Sequence, residues 1–195
     1  MTHFDDIYEI AADNYGLVTF AEAREAGATG GELGRWVAQG RLEHRGRGTY
    51  RLVRRTPTPY DRYAEAVALV GPGSVVWGDS VLAMLDLAYE NPPVVYVAFA
   101  RRVRRALPAW VRLVVQCVGG ITVLQGALPA WVRLVGEHVD ERTAYEGVPC
   151  QALPEAIRAC RGHVLPERLA DAARDARARG LITRAEAAEL EEDMA

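Results

Sequence analysis

Apolar side chains recur at helical spacing through the first forty residues, and the polar positions between them mark where helices start and stop. Ile7, Tyr8, Ile10, Ala11 and Ala12 predict a first helix across Asp5–Asn14, ending before Gly16. Thr19 reads as the N-cap of a second helix, Phe20–Glu25, with Glu22 three residues on as its capping-box partner. Gly27 breaks the chain. Thr29 and Glu32 repeat the signature at the head of a third helix, where Leu33, Trp36 and Val37 share one apolar face and Gly40 is the stop. Gly30, Gly31, Gly34, Arg35 and Ala38 then point outward. Two short strands follow, Arg41–Arg45 and Thr49–Val53, around Arg45-Gly46-Arg47-Gly48, whose glycines permit the positive φ angles of a tight hairpin.

Three helices and a hairpin, in that order, predict a winged helix-turn-helix, whose third helix enters the major groove of DNA. Thr56-Pro57-Thr58-Pro59 reads as a linker. The division expected is a DNA-binding domain over residues 1–55, a linker over 56–60, and a mixed α+β domain over 61–195. The expected fold class is therefore α+β. In the second domain the pattern predicts a helix over Asp61–Val70 that stops at Gly71-Pro72-Gly73. A short strand over Ser74–Trp77, a helix Val81–Leu87 capped by Ser80, and a buried strand over Val94–Ala100 come next. Pro166–Arg179 and Thr183–Asp193 read as two helices split by Gly180, the second opened by a Thr183–Glu186 capping box.

ALPAWVRLV occurs twice, at 106–114 and 127–135, an offset of 21 residues. Two copies do not make a solenoid; a local tandem duplication is the simplest origin. The intervening VQCVGGITVLQG reads as strand, Gly119-Gly120 turn and strand, so the duplication is expected to add a β-hairpin to the second sheet. Identical strand sequences compete for one slot, because register follows the apolar pattern. One copy should fill the sheet and the other lie at an edge or pair with a partner.

Composition narrows the function. Half of the 195 residues are hydrophobic and a quarter charged, enough for a buried core. No apolar run is long enough to span a membrane, and the acidic N-terminus lacks the basic and apolar regions of a secretory signal, so a cytoplasmic protein is expected. Cys117, Cys150 and Cys160 are odd in number and widely spaced, and His3, His44, His138 and His163 are scattered; neither set predicts a disulfide framework, a metal site or a cofactor. All 23 basic residues are arginine. The absence of lysine excludes a P-loop, Schiff-base catalysis and nucleases built on a carboxylate-X-lysine triplet. Ser74 and Ser80 lack a nucleophile-elbow context. Asp79, Asp86, Glu90 and the acidic run from Glu186 to Asp193 read as solvated helix faces. No catalytic residue is expected.

Charge is distributed unevenly. Between Arg35 and Arg55 lie Arg35, Arg41, Arg45, Arg47, Arg51, Arg54 and Arg55 against Glu43 alone, in a chain of formal net charge -3. Arginine forks at that density suit a phosphate backbone and imply salt-dependent binding. The helix itself is poor in base-reading side chains. Arg35 alone could pair bidentately with guanine, while Arg45 and Arg47 at the hairpin tip suit a minor groove. A solvated hairpin with no ligand is the plain alternative. Arg101, Arg102, Arg104 and Arg105 form a second cluster, open to a partner surface, to more DNA backbone, or to solvent alone.

GRLEHRGRGTYRL resembles the wing of AbiEi-type antitoxins. SVVWGDSVLAMLDL, EGVPCQALPEAIRAC and ADAARDARARGLITRAEAAEL continue the resemblance in order over most of the chain, and residues 106–126 depart from it. The resemblance implies an autoregulator that binds inverted repeats in promoter DNA, and a second domain that neutralises a nucleotidyltransferase-fold toxin, with or without a stable complex. By position it implies DNA contact from Thr29, Gly30, Arg35, Arg45, Arg47 and Tyr50; the charge run adds Arg41, Arg51, Arg54 and Arg55. A homodimer on DNA suits inverted repeats. A stand-alone regulator with a ligand-binding or dimerising C-terminal domain remains the alternative, and a winged helix fused to a nuclease is a third.

Overall fold

The computed structural model describes residues 3–46, 48–87, 93–99, 107–116, 132–135 and 142–194. The fold is α+β, with helices and two sheets. Arg47 of the wing and the cluster Arg101, Arg102, Arg104 and Arg105 lie outside the described residues.

The first unit runs α1 (His3–Ala12), β1 (Leu17–Thr19), α2 (Phe20–Glu25), α3 (Gly30–Ala38), β2 (Leu42–Gly46), β3 (Thr49–Leu52). Both capping boxes form: the Thr19 hydroxyl accepts from the Glu22 amide at 3.2 Å while the Glu22 carboxylate accepts from the Thr19 amide at 2.7 Å. Thr29 and Glu32 do the same at 3.2 and 2.8 Å. Each satisfies amides that a helix start leaves without partners. β1 goes beyond the sequence pattern. It is three residues long, too short for an alternation to register, yet it pairs antiparallel with β3 (Leu17 opposite Arg51) and turns the hairpin into a three-stranded sheet of order β1-β3-β2. Beneath it Ile7, Val18, Leu33, Trp36, Leu42 and Leu52 form a small core, with the Phe4 and Trp36 rings edge to face at 5.2 Å. Such side chains contribute about 1.5–3 kcal/mol each on full burial.

The second unit contains α4 (Asp61–Val70), β4 (Val75–Val76), α5 (Asp79–Met84), β5 (Val95–Phe99), β6 (Val111–Gln116), β7 (Val132–Val135), β8 (Arg142–Tyr145), β9 (Val148–Gln151), α6 (Leu153–Ala159), α7 (Pro166–Ala178) and α8 (Arg184–Met194). Its six strands lie in the order β7-β6-β5-β4-β9-β8. α4 matches its sequence reading, and so does the Thr183–Glu186 box at the head of α8. β5 lies inside the sheet with Val95 and Val97 fully buried, as a continuous apolar run should. Ser80 does not cap a helix. α5 starts two residues earlier than expected, at Asp79 behind Gly78 at φ +52°, and the Ser80 hydroxyl accepts from the Tyr96 amide at 2.8 Å, tying α5 to β5. The β8–β9 hairpin and α6 have no counterpart in the sequence reading.

The hairpin expected of VQCVGGITVLQG falls on residues 117–126, outside the described residues, so only the strands that flank it are described. β6 lies in the first copy and pairs parallel with β5 on one side and parallel with β7, from the second copy, on the other. A tight turn cannot join parallel neighbours, which need a crossover of a dozen or more residues; residues 117–131 lie outside the described residues. The expected division of roles holds: β6 is interior and β7 is the edge.

The two units meet closely. Leu17 of β1 is buried in the larger core, and the Tyr15 hydroxyl donates to the Glu146 carbonyl at the β8–β9 turn. At Gly46 the hairpin backbone lies so near Leu69 of α4 that an added Cβ would collide with that side chain.

Candidate nucleic-acid interface

α3 presents one face to the core and the other to solvent. Leu33 and Trp36 are buried and Val37 half-buried; Gly30, Gly31, Gly34, Arg35 and Ala38 are all exposed, as the sequence spacing requires. A Cβ at Gly34 would meet nothing within 4 Å, so the outer surface there is smooth backbone with Arg35 as its one long side chain. Backbone that bare lets a bulky surface approach closely. Arg35 has no carboxylate partner among the described residues. The Thr29 side chain is engaged inside the helix, where its amide and then its hydroxyl bond Glu32; with His3 Nδ1 at 3.1 Å from Glu32, they hold that carboxyl down to about 2.

The remaining candidate arginines separate into distinct environments. Arg41 is exposed and stacks over the Phe4 ring at 3.2 Å. Arg45 and Arg51 converge on Glu65 of α4, which is 3% exposed. Arg45 Nε donates to Glu65 Oε1 at 2.6 Å and Arg51 Nη1 to Oε2 at 3.1 Å. Glu43 takes a second bond from each, at 2.7 and 3.4 Å. Arg55 is held by both carboxylate oxygens of Asp61. Tyr50 is half-buried with its ring 5.1 Å from that of His44. Arg54 lines a cleft of about 400 Å³ with Tyr8, Tyr15, Thr56 and Glu146, away from the α3 residues.

The basic window read from the sequence is thus smaller in space than in the chain. Two carboxylates from α4, Glu65 and Asp61, enter from outside the window and neutralise arginines that the local count leaves free. Arg24 on α2, passed over in the sequence reading, is exposed and has no carboxylate partner among the described residues. The histidines are not all isolated either. His163 follows Cys160 by three residues, a spacing that would have flagged them, and Asp79 joins the pair in space.

Three helices, a wing and a returning β1 strand fit a winged helix-turn-helix regulator. Residues 5–53 match the family model described as a transcriptional regulator, AbiEi antitoxin, so this part of the chain is similar to that family. The match supports an antitoxin and regulator role. No curated protein matches the chain. Among the described residues no helix is long and apolar enough to cross a membrane.

Proposed function

We propose that this protein is a cytoplasmic, non-catalytic antitoxin that represses its own operon by binding inverted repeats in promoter DNA and that opposes a cognate toxin of the nucleotidyltransferase fold. Residues 1–55 are the DNA-binding part, 56–60 the linker, and 61–195 the toxin-directed part. The observation that carries the DNA half is the outward face of α3: bare backbone at Gly30, Gly31 and Gly34 beside an uncommitted Arg35, a surface no part of the core uses. Arg24 and Arg41 flank this reading as backbone contacts. Arg45 and Arg51 position the wing against α4 in the free protein, and sparse base contact leaves specificity to operator shape and to two-fold symmetry. The toxin half follows from the family resemblance.

The test is fluorescence anisotropy on the promoter fragment with Arg35→Ala, paired with co-expression of the adjacent gene product in a growth assay. Arg35→Ala should weaken operator binding by about 1–3 kcal/mol, the scale of a bidentate base contact. Unchanged binding removes α3 from the interface, and failure to rescue growth removes the antitoxin half. A stand-alone regulator is the second reading. The cleft beside Arg54 favours it, because a ligand there would touch Tyr8 and Gly16 of the first unit and Glu146 of the second.

A further inference from the structure

Away from α3, the end of α6 and the start of α5 bring three different donor atoms together. Cys160 caps the C-terminus of α6. The chain turns at once through Arg161 and Gly162, the latter at φ +80°, a left-handed conformation that glycine adopts without strain. The amides of His163 and Val164 both donate to the Cys160 carbonyl, at 3.4 and 3.0 Å, and the turn folds His163 back over the cysteine. Asp79 arrives from the other side as the first residue of α5. Its neighbour Gly78 is fixed by donation to Gln151 Oε1 at 3.1 Å. The result is His163 Nε2 at 2.6 Å and Cys160 Sγ at 3.3 Å from the same oxygen, Asp79 Oδ1. All three donor atoms lie within 4.8 Å of one another.

We propose that Asp79, Cys160 and His163 form a site for a divalent transition-metal ion of the zinc type, with a fourth position open to water. The donor chemistry selects the class. A thiolate with an imidazole and one carboxylate suits zinc, whereas calcium and magnesium take all-oxygen shells. The spacing is close to what a tetrahedral ion requires. Bond lengths of about 2.3 Å to sulfur and 2.0–2.2 Å to nitrogen and oxygen place donors roughly 3.3–3.6 Å apart. The Asp79–Cys160 pair is there already. The Asp79–His163 pair must open by roughly 0.7 Å on that scale, and the His163 ring, with about a quarter of its side chain exposed, is free to rotate outward. Access is one-sided: Cys160 is fully buried, while Asp79 and His163 line the solvent side.

Binding exchanges protons for metal. The Cys160 thiol, which donates to Asp79 in the free protein, loses its proton to solvent and coordinates as thiolate. The histidine coordinates through Nε2 as the neutral ring, and Asp79 stays a carboxylate that trades two hydrogen bonds for a metal bond. The ion would clasp the α6–α7 turn to the β4–α5 junction. The site lies apart from α3 and stands independently of the DNA-binding proposal.

Cobalt tests the site directly. The full chain, stripped with chelator and kept reduced without thiols, should bind one equivalent of Co²⁺ with a thiolate-to-cobalt charge-transfer band, and Zn²⁺ should displace it. Cys160→Ser should abolish the band and Cys150→Ser should leave it. His163→Ala and Asp79→Asn should each weaken Co²⁺ binding by more than the roughly 10–100-fold that loss of an outer-shell partner costs. His163 is on the surface, so its variant keeps the fold, as circular dichroism will verify, even if Cys160→Ser does not. Absence of the band in the folded wild-type chain, its survival in Cys160→Ser, or unchanged Co²⁺ affinity in His163→Ala overturns the proposal.

Discussion

Replacing Glu65 by glutamine separates the structural role of the wing arginines from any role on DNA. The carboxylate is almost wholly buried in α4 and bonds Arg45 at 2.6 Å and Arg51 at 3.1 Å. Breaking a buried ion pair by removing one partner costs about 3–5 kcal/mol. Here the loss is smaller, because each arginine side chain is 27% exposed and keeps a bond to Glu43, and because glutamine can still accept one hydrogen bond. With solvent screening the expected destabilisation is about 2 kcal/mol, or a Tm lower by about 4–8 °C for a chain of this size. The same change frees two guanidinium groups beside the wing. If they then reach phosphates, the slope of log K against log salt steepens by up to about 1.8 and binding at low salt tightens. Differential scanning fluorimetry reads the first effect and anisotropy across a salt series the second. An unchanged Tm refutes the reasoning about the buried cluster. A lowered Tm with an unchanged salt slope shows that the arginines serve the fold alone.

Gly34 should tolerate alanine, since the added Cβ meets nothing within 4 Å; the helix gains about 1 kcal/mol, visible as a higher denaturation midpoint, while Gly34→Glu should lose operator affinity in a gel-shift assay. Glu32, held down to about 2 by Thr29 and His3, contributes stability that is fully present above its ordinary 4.5 and is lost as pH falls through about 2. Melts between pH 5 and 2 should show a steeper loss for the wild type than for Glu32→Gln, which keeps the cap but cannot titrate. Deleting residues 106–126 removes one copy of ALPAWVRLV and brings the identical second copy into its place, so cooperative unfolding by circular dichroism should survive; a non-cooperative melt counts against one copy being dispensable.

Local chemistry was legible in the chain. Thr19, Thr29 and Thr183, each with a glutamate three residues on, place three helix starts correctly, because a capping box is complete within four residues. The inward face of α3 follows from spacing alone. What the sequence hides is mostly long-range. β1 exists because β3 is there to pair with it, and Ser80 serves Tyr96 rather than its own helix. The basic window looked free because its carboxylates, Glu65 and Asp61, belong to the next helix. Asp79 is far in sequence from Cys160 and His163, so only their mutual spacing could have signalled the cluster.

The parallel pairing of β6 with β7 bears on how this sheet could have grown. A duplication that copied a strand alone would give two claimants and no way back to the same edge. A 21-residue step copies the strand together with enough chain to return, so each copy brings its own crossover allowance. Leu113 lies opposite Val132, and the old outermost strand becomes the template for the new one. Growth by that rule has no built-in end: a third copy would meet at β7 the same sequence that β7 met at β6. The width of this sheet is therefore a heritable quantity adjustable in single-strand steps, and its β7 margin is where variation among related chains should concentrate.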